Sequence, residues 1–145
     1  MLKRSLFAVV MVLILIFAYG CTEDEEVKEV IVPEVPEEEE LPEEIKAWIE
    51  DSRDAFGGRT RIHNGFLYIL VTYGEKPTGG YTVEIAEIAR QGEELFVTVQ
   101  FSEPGEDEMV THAITYPYDL AVVEETDLTV EFRAMGDEDN VPKVD

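Results

Sequence analysis

The chain has 145 residues, one cysteine, two histidines and a formal charge of −22 from 33 acidic and 11 basic side chains. That length suits one small domain with its appendages, and that charge excludes nucleic acid and steady binding to anionic headgroups, because phosphate recognition needs a basic surface. Cys21 has no partner for an internal disulfide, and His63 and His112 are too few for an ordinary zinc or copper site.

The N-terminus opens with Lys3 and Arg4 and then runs apolar from Leu6 to Ala18. About 13 such residues are fewer than the roughly 20 a helix needs to span a bilayer, so residues 1–20 read as a cleaved signal peptide. Ala18-Tyr19-Gly20-Cys21 resembles the lipobox of bacterial lipoproteins, with Ala where Leu is usual, and it makes Cys21 the expected lipidation site. Two or three acyl chains anchor stably, at about 0.8 kcal/mol per buried methylene. Thr22 follows, so the Asp that signals inner-membrane retention in some bacteria is absent; the expected location is exported and lipid-anchored, in the cell membrane or the outer membrane. Loss of Lys3 and Arg4 leaves the exported chain at about −24.

Residues 21–41 contain Pro33, Pro36 and the run Glu37 to Glu40, which predicts an extended, solvated tether. At about 3.1 Å per residue it holds the domain on the order of 60 Å from the lipid. The alternative is that Val30-Ile31-Val32 docks as an edge strand. Residues 42–135 form the expected domain. Ile45, Trp48 and Ile49, at i, i+3 and i+4 behind a proline and two glutamates, predict one amphipathic helix within Pro42 to Ala55, broken by Gly57-Gly58.

Strands are predicted at Thr60 to His63, Gly65 to Tyr73, Tyr81 to Ala89, Glu94 to Phe101, Met109 to Tyr116, Leu120 to Glu124 and Leu128 to Phe132, all rich in Val, Ile, Thr, Tyr and Phe. Phe66 to Tyr73 is apolar on both faces and suits a central, doubly covered strand; the others alternate. The expected fold is all-β: a compact sandwich or partly open barrel of six to seven short strands with one N-terminal helix. Residues 136–145 read as a frayed acidic tail.

Between two strands lies Gly74-Glu75-Lys76-Pro77-Thr78-Gly79-Gly80-Tyr81. Pro77 fixes its own φ and extends Lys76, while the two glycines allow positive φ or close approach, so the loop is shaped. It is either a tight connector or a protein-binding surface built from Glu75, Lys76, Pro77, Thr78, Gly79, Gly80 and Tyr81, with Tyr81 a binding anchor or core.

The string GEKPTGGYTVEI, after Val71-Thr72-Tyr73 and before Phe96 to Phe101, Pro104-Gly105 and Thr115-Tyr116-Pro117, resembles the PrcB C-terminal domain family over roughly Gly65 to Phe132. Those proteins are named for a subunit of a bacterial cell-surface protease complex. The resemblance implies a non-catalytic accessory role with an extracytoplasmic protease as partner. The loop is also similar to the NPTTGY loop of chagasin-like cysteine-protease inhibitors, with Lys76 for the Asn and Gly79 for the second Thr. Inhibition is therefore the competing reading, and a structural envelope lipoprotein a third. Valine at Gly79 and Gly80 is expected to weaken binding while changing stability modestly.

No enzyme signature emerges. Ser52 and Ser102 are the serines of the exported chain, and neither lies in a nucleophile elbow. The acids around Pro104-Gly105 and at 137–139 read as solvated charge, without EF-hand spacing. No cofactor and no metal are expected, and oligomeric state is open.

Overall fold

The computed structural model describes residues 28–135 and 141–144. The signal peptide, Cys21 and the tether up to residue 27 lie outside the described residues, as do 136–140 and 145. The elements are β1 (Glu29–Ile31), a 3-10 turn (Glu38–Glu40), α1 (Glu43–Ser52), β2 (Phe56–His63), β3 (Phe66–Tyr73), β4 (Thr82–Gln91), β5 (Glu94–Ser102), β6 (Tyr118–Glu124) and β7 (Thr129–Ala134).

The strands form two sheets, β2-β3-β6 and β1-β4-β5-β7, antiparallel except for the parallel β5–β7 pair. The sheets do not close into a barrel; they face each other across a core of Leu67, Ile69 and Val71 from β3, Val83 and Ile88 from β4, Leu95, Val97 and Val99 from β5, and Val130 and Phe132 from β7. Helix α1 covers the outer face of the three-stranded sheet, setting Ile45, Trp48 and Ile49 against Tyr68, Leu70, Leu120 and Val122. β3 is thus the middle strand of the middle layer, which is why its alternation is lost and residues 67–72 are all buried.

In β4 the register slips between Ile85 and Glu87. The extra residue moves the inward phase from Val83 and Ile85 to Ile88, so a strand with broken alternation still buries one side. The β2–β3 hairpin turns through Asn64 (φ 50) and Gly65 (φ 79), the paired left-handed geometry that a two-residue hairpin requires.

Both chain ends clasp the sandwich. At one side, Glu29–Ile31 pairs with Ile88–Arg90 of β4, and Glu34 then exchanges two backbone hydrogen bonds of 2.9 Å with Val122 of β6, so the segment crosses from one sheet to the other. The tether expectation fails from Glu29 onward, and the edge-strand alternative is what forms. Ile31 is the reason: it packs against the core, as Leu41 does against the helix layer. At the other side, Gly58 donates to Pro142 O (3.0 Å) and accepts from Val144 N (3.0 Å), with Val141 buried between the sheets. Residues 141–144, expected to fray, are a second strap.

Two further expectations are corrected. Gly57-Gly58 lies inside β2 and does not end the helix, which stops at Ser52 with Arg53 bonded to Ile49 O. Met109 to Tyr116 forms no strand, apart from an isolated bridge at Thr115 to Lys76. Residues 111–114 are exposed throughout and Met109 wholly so, so strand-forming composition meets no face to cover.

Candidate docking site at the crossover end

The sandwich has two unlike ends. The hairpin end carries the turns at Asn64-Gly65 and Gly92-Glu93 and receives the incoming chain, since Glu29 stands opposite Arg90. The other end carries both long connections between the sheets: residues 74–81 from β3 to β4, and 103–117 from β5 to β6. The candidate loop is the first of these.

The two crossovers brace each other. Lys76 and Thr115 exchange backbone hydrogen bonds of 2.9 and 3.0 Å, Gly79 N–H donates to Thr111 O (3.0 Å), and Thr115 Oγ1 donates to Thr78 O (2.8 Å). Thr78 Oγ1 donates to Gly79 O at 3.0 Å. The Gly79 N–H and the Thr78 and Gly79 carbonyls are therefore engaged within the protein. The loop offers instead exposed Glu75, Pro77 and Gly80, with Lys76, Thr78, Gly79 and Tyr81 half-buried. Across it runs the second crossover with Met109 and Ile114 outward.

Gly80 has φ +87, and a Cβ there would stand 2.7 Å from Pro104 Cβ and 2.8 Å from Val110 Cγ1; one on Gly79 would stand 2.6 Å from Thr111 Oγ1. Glycine is required here by the close approach of the two crossovers. Gly80→Val is expected to cost about 1–3 kcal/mol from backbone strain and overpacking and to raise amide exchange at Gly79 and Thr115 ahead of the core. Valine at both positions therefore changes stability and surface together, unlike the earlier expectation of a modest effect.

Beneath the loop is an aromatic cluster. Tyr73 lies 4.8 Å from Phe101 and 6.0 Å from Tyr81 between centroids, and Phe56 lies 5.4 Å from Phe101. The Lys76 ammonium sits 3.6 Å over the Tyr73 ring and 5.3 Å from that of Tyr81, a cation–π contact of about 0.5–2 kcal/mol. Tyr81 is thus a half-buried wall of this cluster. Tyr73 OH donates to Glu103 (3.4 Å) and Tyr116 OH to Glu75 (2.9 Å). Sequence reasoning missed Phe56, Tyr73, Phe101 and Tyr116, because only long-range pairing brings them to the loop.

Three tyrosine hydroxyls are held above their ordinary value: Tyr73 by burial and then Glu103, Tyr116 by its hydrogen bond to Glu75, and Tyr118 by burial and then Glu38 and Glu50. A raised acid favours the protonated, folded form up to the unfolded pKa of about 10 and loses that contribution as pH climbs through the higher folded value. Melting temperature is expected to fall above about pH 10, with tyrosinate absorbance rising later than in unfolded chain; melts and an ultraviolet titration check both.

Among the described residues no three His, Cys, Asp or Glu side chains converge as a metal site. A cleft of about 520 Å³ lies toward the hairpin end under the N-terminal strap, lined in part by Ile31, Phe66, Leu95 and Leu128. No residue of 75–81 lines it.

The family comparison coincides with the crossover end. Residues 67–124 match the family model described as PrcB C-terminal. Over this stretch the chain resembles the PrcB C-terminal family. The PrcB C-terminal match takes in β3, β4, β5, β6 and both crossovers, and leaves β1, α1, β2 and β7 outside it. No curated protein and no solved structure matches the chain.

Proposed function

We propose that this chain is a lipid-anchored, non-catalytic interaction module, an accessory subunit of an extracytoplasmic protease complex, and that it docks through its crossover end. One observation carries the reading: the braced pair of crossovers, with Pro77, Met109 and Ile114 outward, lies wholly inside the PrcB C-terminal match. Loops ordered by their own hydrogen bonds enter a complex with little further entropy cost.

Chain geometry supports an outward-facing site. β1 begins at Glu29, so seven residues, Thr22 to Lys28, separate Cys21 from the folded domain. At up to about 3.6 Å per residue their reach is on the order of 25 Å, well short of the 60 Å of a free tether. The described chain begins at the hairpin end, where Glu29 pairs with Arg90, which supports a crossover end facing away from the proposed anchor.

The test is capture from the native envelope by the full-length protein, wild type against Met109→Ala with Ile114→Ala, and against Cys21→Ser. The expected result is that a protease is retained by wild type and reduced at least tenfold by the double variant. Cys21→Ser is expected to move the protein to the soluble fraction and abolish acyl labelling. A protease retained equally by all three sinks the docking assignment. Peptidase activity with and without the module then separates assembly from inhibition.

A further inference from the structure

We infer that the docking face of the partner is an apolar contact ringed by lysine and arginine, so that the crossover end selects a basic protein surface. The inference rests on the docking reading above and adds the chemistry of what docks.

Its centre is apolar. Met109 is 100% exposed, Ile114 59% and Phe56 45%, and Phe56 continues inward to Phe101 and Tyr73. Of the nine large apolar side chains exposed among the described residues, three, Met109, Ile114 and Phe56, are at this end, and exposed apolar surface beside ordered loops serves as a contact surface. Hot spots of this kind need a rim that keeps water out, and here the rim is charged with one sign. Asp54, Glu75, Glu103, Glu106, Asp107 and Glu108 stand on the two crossovers or beside them, and all six are exposed.

The bases at this end do not neutralise that rim. Lys76 has its ammonium turned onto the Tyr73 and Tyr81 rings, and Arg53 lies over Tyr116 while paired with Glu50 at 2.7 Å. Among the described residues none of the six carboxylates has an ion-pair partner. Glu75 and Glu103 are held by tyrosine hydroxyls, which fix their position and leave their charge intact. Glu108 accepts from Gly105 N–H at 3.0 Å and pins the turn that carries Glu106 and Asp107. These are positioned negative charges around an apolar centre. An acidic partner face meets like charge on approach, whereas a basic one gains faster encounter and a fixed register.

The test uses the full-length protein in its own envelope with a photo-crosslinking amino acid at Met109 or Ile114, and at Val32 or Gln100 as controls on other faces. Adducts are compared at 50 and 500 mM salt and in a Glu106→Gln, Asp107→Asn variant, whose altered side chains make no hydrogen bond or ion pair among the described residues. The cross-linked partner peptide is sequenced. The expected result is an adduct from 109 and 114 and not from the controls, falling on the order of tenfold at high salt and severalfold in the variant, on a peptide with excess Lys and Arg. The same adduct indifferent to salt and to the variant overturns the basic-rim inference and leaves the docking reading standing. Adducts from Val32 or Gln100 alone overturn the surface itself. Absence of any adduct overturns the docking reading and this inference with it.

Discussion

Gly58→Val is expected to cost about 3 kcal/mol or more and to lower the melting temperature by roughly 15 °C. A Cβ at this position would lie 2.5, 2.6 and 2.7 Å from Cδ1, Cγ and Cδ2 of Phe132. Those are ring atoms of a side chain only 3% exposed and enclosed between the sheets, so no flexible end can swing away. Moving β2 outward instead breaks the strap, because Gly58 N–H and C=O are the groups that hold Pro142 and Val144. Phe132→Ala alone is expected to cost about 3–5 kcal/mol for the cavity it leaves. Gly58→Ala placed in that background should cost little, since the added methyl finds the vacated space, and the two changes should couple by more than 1 kcal/mol or so. Urea unfolding followed through the single tryptophan, Trp48, reads all four corners of the cycle. Additive costs would show that the ring is not what requires the glycine.

Gly58 also shows where the sequence is legible and where it stops. The helix could be read because Ile45, Trp48 and Ile49 share one face, and β3 and β5 because burial on two faces or one writes itself into their alternation. Local propensity makes Gly57-Gly58 look like a breaker. It is in fact the place where Phe132, 74 residues later, must pass under β2, and no local pattern records a contact of that range. β1 was legible only as an alternative, from Val30-Ile31-Val32, and the C-terminal strap fails to announce itself for the same reason as Gly58: it buries a single apolar residue, Val141, behind a run of acids. The loop at 75–81 was legible as a shaped segment from Pro77, Gly79 and Gly80, and its family motif was legible too. The brace that shapes it was not, because Thr111 and Thr115 lie more than thirty residues away in a segment whose composition mimics a strand.

The division of labour follows the family match. The matched strands and crossovers build most of the core and the crossover end, while the segments outside the match close the flanks: β1 and Glu34 on the β4–β6 side, β7 and residues 141–144 on the β2 side. Asp119 completes the first flank, its carboxylate accepting from Ile85 N–H (2.7 Å) at the β4 register slip and so joining β6 to β4 above the strap.

Thr72→Val is the second substitution with a large expected effect, about 2–4 kcal/mol, and it reaches the candidate site. Thr72 is fully buried; its hydroxyl donates to Ala55 O (2.5 Å) and Gly57 O (3.1 Å) as a shared bond and accepts from Arg59 Nη1 at 3.0 Å. Valine keeps the shape, so the cost is polar. Arg59, 7% exposed and without a carboxylate partner among the described residues, loses a fixed acceptor, and the start of β2 loses its tie to the end of β3. Just before that start lies Asp54, whose carbonyl accepts from Glu75 N–H at 3.3 Å, and at it Phe56, whose ring is tilted against those of Phe101 and Tyr73. Unfolding should therefore come at lower urea, and amide exchange at Glu75 should quicken under native conditions. Thr72→Ser, which keeps the hydroxyl and loses a methyl, is expected to cost only about 1 kcal/mol. Thr72→Val combined with Arg59→Met should recover part of the loss, because removing both partners leaves no buried group wanting one. Equal costs for valine and serine would mean that packing at this position outweighs the hydroxyl, and that Arg59 finds its acceptor elsewhere.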